Sequence, residues 1–436
     1  IELRRSTAVW AALLLAATGG FMLRALNPPY ALWMQVVTVQ RDMMQLTWPL
    51  ALAAGAWQAG RERRSRVDEL VGTTPRPRWR RVQPIAAAMA LAAAVGYLLM
   101  LVGGAINIEK VGGYFPLGAL PIIAIGALAM VAAVWLGLAI GTLLPSPLTA
   151  PLLVVVGFAG QSVLPQMLVA SNREPGTFLL LPFLRPQAGG FFPQVLSTGA
   201  NLSQLLWLAA IAATGFALFA AARAKTRVAA MIPAVVGAAV ILPVLPNQMA
   251  EAWLPYHHAL ELICTAQAPQ VCVPRISRHA LDDLQEPGRR ALAILAAKLP
   301  NPPIRVVGTL GDGPDKLPTT PPADTLAAPV GVARDWSFGA SADDLLWVIL
   351  DGAGTQPCAD LQGTPEDPNE EYYLARRAAA AWLIGQVPPE EQQLPGGQAK
   401  QSARGRVGVD EHPRIVGDEH GVTGSDEERL RPSLAG

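Results

Sequence analysis

Long apolar runs alternate with short polar segments through the first 246 residues, after which the pattern breaks into shorter, mixed runs. A helix crossing a bilayer needs about 20 predominantly apolar residues. Seven segments meet that requirement: 7–26, 43–60, 83–104, 117–144, 149–170, 202–222 and 228–246. Their prolines, such as Pro49, Pro121 and Pro151, are compatible with spans, because neighbouring helices can satisfy the backbone groups a proline frees. Leu144-Pro-Ser-Pro147 must then form a tight turn between two of them. The first run reads as a span rather than a signal peptide, since Arg24 and Leu26-Asn-Pro-Pro29 end it without a small-residue cleavage pattern. The segment 171–201 carries Phe178–Leu184 and Phe191-Phe192, too short to span and too apolar to be simply solvated. One or two re-entrant or interfacial helices are expected there.

Residues 247–395 read as a mixed α/β region. Val271–Ile276, Ile304–Leu310 and Leu345–Leu350 are short runs of strand type. Ser277–Leu299, interrupted near Pro287, and Glu370–Gln386 have helical patterning. Gly311–Pro329 is a loop rich in Pro, Gly and Asp, and Asp343-Asp344 are expected in a solvated loop ahead of a strand. Tyr372-Tyr373, Trp382 and Leu383 share helical spacing, which favours core packing. From Pro388 onward aromatic residues vanish and charge rises, the composition of a disordered tail.

Composition supports the membrane reading and orients it. The chain of 436 residues is 51% apolar and only 15% charged, against about 25% charged in soluble domains. Its mean hydropathy is +0.31. The net charge of +1 hides an asymmetry: residues 1–246 hold 18 basic and 7 acidic groups, residues 247–436 hold 16 and 26. Arginine far outnumbers lysine, and Ala, Gly and Pro abound, a bias expected of a high-GC bacterial genome. With the N-terminus inside, thirteen basic loop residues face the cytoplasm and five (Arg24, Arg41, Lys110, Arg173, Arg185) face out. Tyr30, Trp33, Tyr114 and Phe115 then lie at outer ends, where amphipathic rings favour the interface. The expected fold is a polytopic α-helical membrane protein of about seven spans with a C-terminal extracytoplasmic mixed α/β domain. Its parts are a six-span region 1–227, a seventh span 228–246, the α/β domain 247–395 and a disordered tail 396–436.

The predicted span cores contain no Asp, Glu, His, Lys or Arg, so they lack the groups that ion-coupled carriers place inside the membrane. Gln161 and Ser162 are the clearest polar pair, a weak candidate for a substrate pathway. No G-x-x-x-x-G-K-[ST] occurs, so the chain carries no P-loop of its own. The densest charge lies in 60–82, with eight arginines and three acids in a loop between two silent spans. Arg61–Leu70 can form a short helix with Glu62 and Arg66 at i,i+4 spacing, and Thr74-Pro75 ends it. One reading is a solvated loop that only sets topology.

The other follows from a resemblance. The loop resembles the cytoplasmic loop between spans two and three of type-2 ABC exporter permeases, close to Arg-Glu-x-x-x-Gly-Thr-x-Glu-Leu-Leu-x-x-Thr-Pro-x-x-Arg. The match is carried by Arg61, Glu62, Glu69, Leu70, Thr74, Pro75 and Arg78, and Arg66-Val67 stand where the family often has Gly-Thr. The resemblance covers roughly residues 1–227. It implies a coupling helix docked on a separate ABC ATPase subunit, with Arg61, Glu62, Arg63, Asp68, Glu69, Leu70, Thr74, Pro75 and Arg78 at the contact. It further implies ATP and Mg in that partner, no cofactor in this chain, a second permease copy or homologue, and export across a bacterial cell membrane. An apolar pathway favours hydrophobic or amphiphilic cargo such as a lipid, an ionophore or an antibiotic. The competing class is a membrane-anchored extracytoplasmic binding or assembly module without transport of its own. A nucleic-acid partner is not expected, because the basic loop is short and pinned to the membrane surface.

Three cysteines, Cys264, Cys272 and Cys358, all follow the last span. Placed outside, Cys264 and Cys272 can close a disulfide through a turn at Ala268-Pro269, whereas buried thiols remain the alternative. Cys358 is left over. His257, His258 and Glu261 are the one metal-like cluster. They lack the H-E-x-x-H pattern of a zincin, and a surface histidine pair is the expected reading. No G-x-S-x-G or Cys/His arrangement supports a hydrolase.

Overall fold

A computed structural model of the chain describes residues 8–26, 33–64, 77–108, 114–168, 176–184, 194–309, 324–329, 342–351 and 378–385. Every described residue lies within Ile1–Pro388. The expected tail 396–436 and Cys358 fall outside the described residues.

The described residues of the N-terminal part are mainly helical. Its helices are α1 (Ala8–Leu26), α2 (Trp33–Asp42), α3 (Met44–Arg64), α4 (Arg78–Ile108), α5 (Ala119–Leu143) and α6 (Thr149–Leu168). After the segment that holds the 3-10 turn Gly176–Leu180 come α7 (Thr198–Ala220), α8 (Ala224–Ala229) and α9 (Ile232–Ile241). The seven predicted runs fall largely on these helices, the last of them across α8, α9 and the 3-10 turn Leu242–Val244. Among the described residues four stretches are long and apolar enough to cross a membrane: Arg78–Ile106, Ala119–Leu143, Thr198–Ala220 and Ala224–Val244.

Helix α5 is the axis of this part, and α3, α4 and α7 all pack on it. Close approach of α3 depends on small residues. A Cβ added at Gly141 would stand 2.6 Å from the Ala56 carbonyl oxygen, and one at Gly55 would lie 2.9 Å from the Leu138 nitrogen. Such small-residue seams let helix backbones touch where lipid offers no hydrophobic drive for association. Two indoles add bonds across the same helix. Trp48 Nε1 donates to the Ala129 carbonyl (3.1 Å), and Trp135 Nε1 donates to that of Ala86 on α4 (2.9 Å). Flanking helices complete the arrangement: α1 lies on α4, α6 on α3 and α9 on α7. The outward sides of α6 and α9 stay apolar and exposed, with Leu152, Val155, Val235 and Val240 all more than half accessible. Leu144–Leu148 turns between α5 and α6 as expected, with Thr149 Oγ1 donating to the Leu144 carbonyl (2.7 Å).

Short strands β1 (Gln194–Leu196) and β2 (Trp253–Pro255) pair antiparallel, tying the chain ahead of α7 to the chain that leaves α9. Beyond them, β3 (Leu262–Cys264), β4 (Gln270–Pro274), β5 (Arg305–Thr309) and β6 (Thr325–Pro329) form one sheet in sequence order. The first pair is antiparallel and the other two are parallel. Helix α10 (Ala280–Lys298) supplies the β4–β5 crossover that a parallel pair requires. It buries Leu284, Ala291, Leu292 and Leu295 against Val271, Val273 and Val306. Helices α11 (Ala342–Asp351) and α12 (378–384) add Leu346, Ile349, Leu350, Ala380 and Leu383 to that core.

Several expectations for this region are corrected. Leu345–Leu350 is part of α11, not a strand. Leu346, Ile349 and Leu350 are buried at i, i+3 and i+4, the spacing of a helix face. Asp343 and Asp344 occupy the first turn of that helix rather than a loop, and Arg290 Nη1 donates to Asp343 (2.8 Å). The expected loop Gly311–Pro329 contains strand β6, paired residue for residue with β5. Helix α10 runs through Pro287 without interruption. Trp382 faces solvent beneath Lys298, whose Nζ lies 4.6 Å from the ring centroid, while Leu383 is in the core. The apolar segment ahead of α7 holds a single 3-10 turn, Gly176–Leu180, and strand β1 among its described residues. Trp33 and Phe115 meet edge to face, their centroids 5.3 Å apart. Tyr30 lies outside the described residues.

Candidate functional site

Two features stand out against this apolar bundle. One is the pair of helices that enter and leave the basic loop. The other is a set of polar side chains buried where α2, α4, α5 and α7 converge.

Helix α3 continues through Arg61, Glu62 and Arg63 to Arg64, so the loop begins on a helical turn. Arg78 opens α4 and is half-buried, and the Arg80 guanidinium lies 5.0 Å from the Trp79 ring centroid. Asp68, Glu69, Leu70, Thr74 and Pro75 fall outside the described residues. Both flanking helices rest on α5, through Gly55 and Ala56 for α3 and through Ala86 and Tyr97 for α4. The hydroxyl end of Tyr97 lies against Gly126, where any Cβ would collide with it.

The buried polar centre was not legible in the chain. Arg41, expected in an outer loop, is fully buried, and so are Gln40, Tyr97 and Gln204 to within 1%. Arg41 Nη1 donates to the Ile122 carbonyl on α5 (3.4 Å), and Nη2 donates to Gln204 Oε1 on α7 (3.2 Å). Gln40 Nε2 donates to the Tyr97 carbonyl on α4 (2.6 Å). Gln204 Nε2 in turn donates to the Leu181 carbonyl (3.4 Å), and Trp207 Nε1 to that of Leu180 (2.8 Å). Leu180 and Leu181 are therefore held over the centre by two side chains of α7. Phe178, Leu179 and Leu184 pack there with Ile122, Leu196, Met249 and Trp253, forming an apolar cap.

A guanidinium stays protonated in proteins, and a buried charge is costly unless paired. Among the described residues no acid forms an ion pair with Arg41. Its neighbour Asp42 instead accepts from Gln45 Nε2 (3.2 Å). Arg41 Nε, Tyr97 Oη and Gln40 Oε1 are buried without a hydrogen-bond partner among the described residues. The signal in the sequence was the triplet Gln40-Arg41-Asp42 interrupting two apolar runs. Nothing local tells a solvated interruption from a buried one.

Gln161, the weak pathway candidate, is 6% exposed on α6, and neither amide atom has a partner among the described residues. Ser162 beside it is half-buried. Arg41 and Gln161 belong to different helix contacts: Gln161 sits on α6, which packs chiefly on α3.

In the α/β region Cys264 and Cys272 face each other across β3 and β4 with sulfurs 2.03 Å apart, a disulfide. His258 Nδ1 lies 3.1 Å from Glu261 Oε1, and Arg275 Nη2 lies 2.6 Å from Glu261 Oε2. Those two hydrogen bonds, from His258 and then Arg275, hold the Glu261 carboxyl below its ordinary value. Tyr114, just before α5, packs with Tyr256, Ala259 and Ile276. Burial first, and then its hydrogen bond with Tyr256, push its hydroxyl up to about 12. Among the described residues no three His, Cys, Asp or Glu side chains are grouped to hold a metal. Comparison with protein-family models, with curated proteins and with solved structures finds no match to this chain.

Proposed function

We propose that the chain is the membrane subunit of an ATP-driven exporter for a hydrophobic or amphiphilic substrate, energised by a separate ABC ATPase. In this reading the chain crosses a bacterial cell membrane about seven times, with the N-terminus inside and the sheet domain outside. ATP and Mg belong to the partner, and a second copy or homologue completes the pathway. One observation supports the reading above all: the helices on either side of the arginine-rich loop, α3 and α4, both bear on α5. Helix α5 in turn touches α7, which holds the outer segment through Gln204 and Trp207. A push on the loop then has a packed route to the far side of the bundle. The resemblance of the loop to exporter coupling loops supplies the identity of what pushes.

Alanine replacement across Glu62–Leu70 tests this. The expected outcome is loss of ATPase co-purification and of export, with the protein still inserted in the membrane. Retention of both would remove the coupling role. A membrane-anchored binding module is the second reading, favoured by the separate core of the sheet domain. Deleting 260–436 should spare ATPase binding in the first reading and abolish all activity in the second.

A further inference from the structure

Arg41 is a full charge with an incomplete shell. A guanidinium has five N–H donors, and the described residues engage it through one backbone carbonyl and one amide, at 3.4 and 3.2 Å. Its Nε, the Tyr97 hydroxyl and Gln40 Oε1 have no partner among the described residues. The Arg41 guanidinium and the Tyr97 ring both lie along one turn of α5, at Ile122 and Gly126. A buried cation is costly unless it is paired and hydrogen-bonded, and the described residues leave this one short of partners.

We propose that Arg41 and Tyr97 form an anion-binding site that takes the acidic headgroup, carboxylate or phosphate, of an amphiphilic cargo molecule. Arg41 supplies the charge and the planar fork suited to a carboxylate or phosphate, and the Tyr97 hydroxyl donates a further hydrogen bond. The apolar surfaces of Ile122, Leu184 and Leu196 receive the start of the tail. The site is closed here. Gln204 bridges Arg41 to the Leu181 carbonyl, so movement of residues 176–184 away from α7 releases Gln204 and opens the guanidinium to a ligand. This rests on the transport reading but is tested without the ATPase, so the two can fail separately.

The test uses the full chain in nanodiscs of zwitterionic phosphatidylcholine, with binding read by thermal shift and by tryptophan fluorescence. Oleate is titrated against oleyl alcohol, which has the same tail and no charge, and against phosphatidylglycerol added to the disc. Oleate is expected to stabilise the wild type. Arg41→Gln should weaken it by about tenfold or more, the equivalent of about 1.4 kcal/mol. Tyr97→Phe, which removes one hydroxyl and keeps the packing, should weaken it several-fold, and oleyl alcohol should respond to neither change. Equal binding of oleate and oleyl alcohol, or oleate binding indifferent to both substitutions, overturns the site. An Arg41-dependent shift from phosphatidylglycerol alone assigns it to a structural lipid and overturns the cargo assignment.

Discussion

The α3–α5 seam gives the sharpest stability prediction, because the structure supplies its own control. At Gly141 a Cβ would stand 2.6 Å from the Ala56 oxygen and 2.7 Å from its Cα, where ordinary contact begins at 3.4 Å. Both neighbours are backbone, so no side chain can swing away. Gly141→Ala therefore requires the helices to part locally by about 0.8 Å, a gap that forfeits a quarter to a half of each dispersion contact along the seam. Overpacking of this kind costs about 1–3 kcal/mol. Gly137→Ala, aimed at the Leu52 carbonyl one turn earlier, should cost at least as much. At Gly160 on the exposed side of α6 an added Cβ meets nothing within 4 Å among the described residues. Gly160→Ala should be neutral or stabilising by up to about 1 kcal/mol, since glycine loses more conformational freedom than alanine on entering a helix. Unfolding in mixed micelles, titrated with SDS, measures all three. Gly141→Ala and Gly160→Ala with equal stability would refute the claim that backbone contact holds α3 on α5.

Further predictions concern the outer side. Trp207→Phe removes the bond to the Leu180 carbonyl and should raise hydrogen exchange at Leu180–Leu184 relative to α7. Replacing Cys264 and Cys272 by serine opens a loop of sequence separation 8 and should destabilise the sheet domain by about 2–3 kcal/mol, read as loss of exchange protection in β4 and α10. Glu261 has its pKa lowered by His258 and Arg275, so its contribution is present above the ordinary value of 4.5 and is lost as pH falls through the folded value. Wild type should therefore melt above Glu261→Gln at pH 7, with the two converging in acid. A constant difference across that range would contradict the assignment.

The bundle was legible because a span must satisfy its own backbone, so apolar runs of sufficient length have one outcome. The seven runs lie largely on helix, and among the described residues four stretches are long and apolar enough to cross. The sheet region was harder. Leu345–Leu350 is a short apolar run, and such runs do not separate strand from helix by periodicity; the contact with α10 makes it α11. Strand β6 was hidden in a Pro/Gly-rich stretch because its order comes from pairing with β5, not from its own residues. The disulfide pair was readable, since eight residues span a hairpin. Arg41 was misplaced for the opposite reason. A charge flanked by Gln40 and Asp42 reads as solvated, and the partners that bury it come from Tyr97, Ile122 and Gln204, far along the chain.

The central claim is that the arginine-rich loop is where an ATPase attaches. A photo-cross-linking residue placed at Leu70, with Leu117 as the control at the predicted outer end of α5, tests it in cells. The account predicts capture of a subunit with Walker motifs from position 70 and none from position 117. No such subunit at position 70, or equal capture at both, would contradict it.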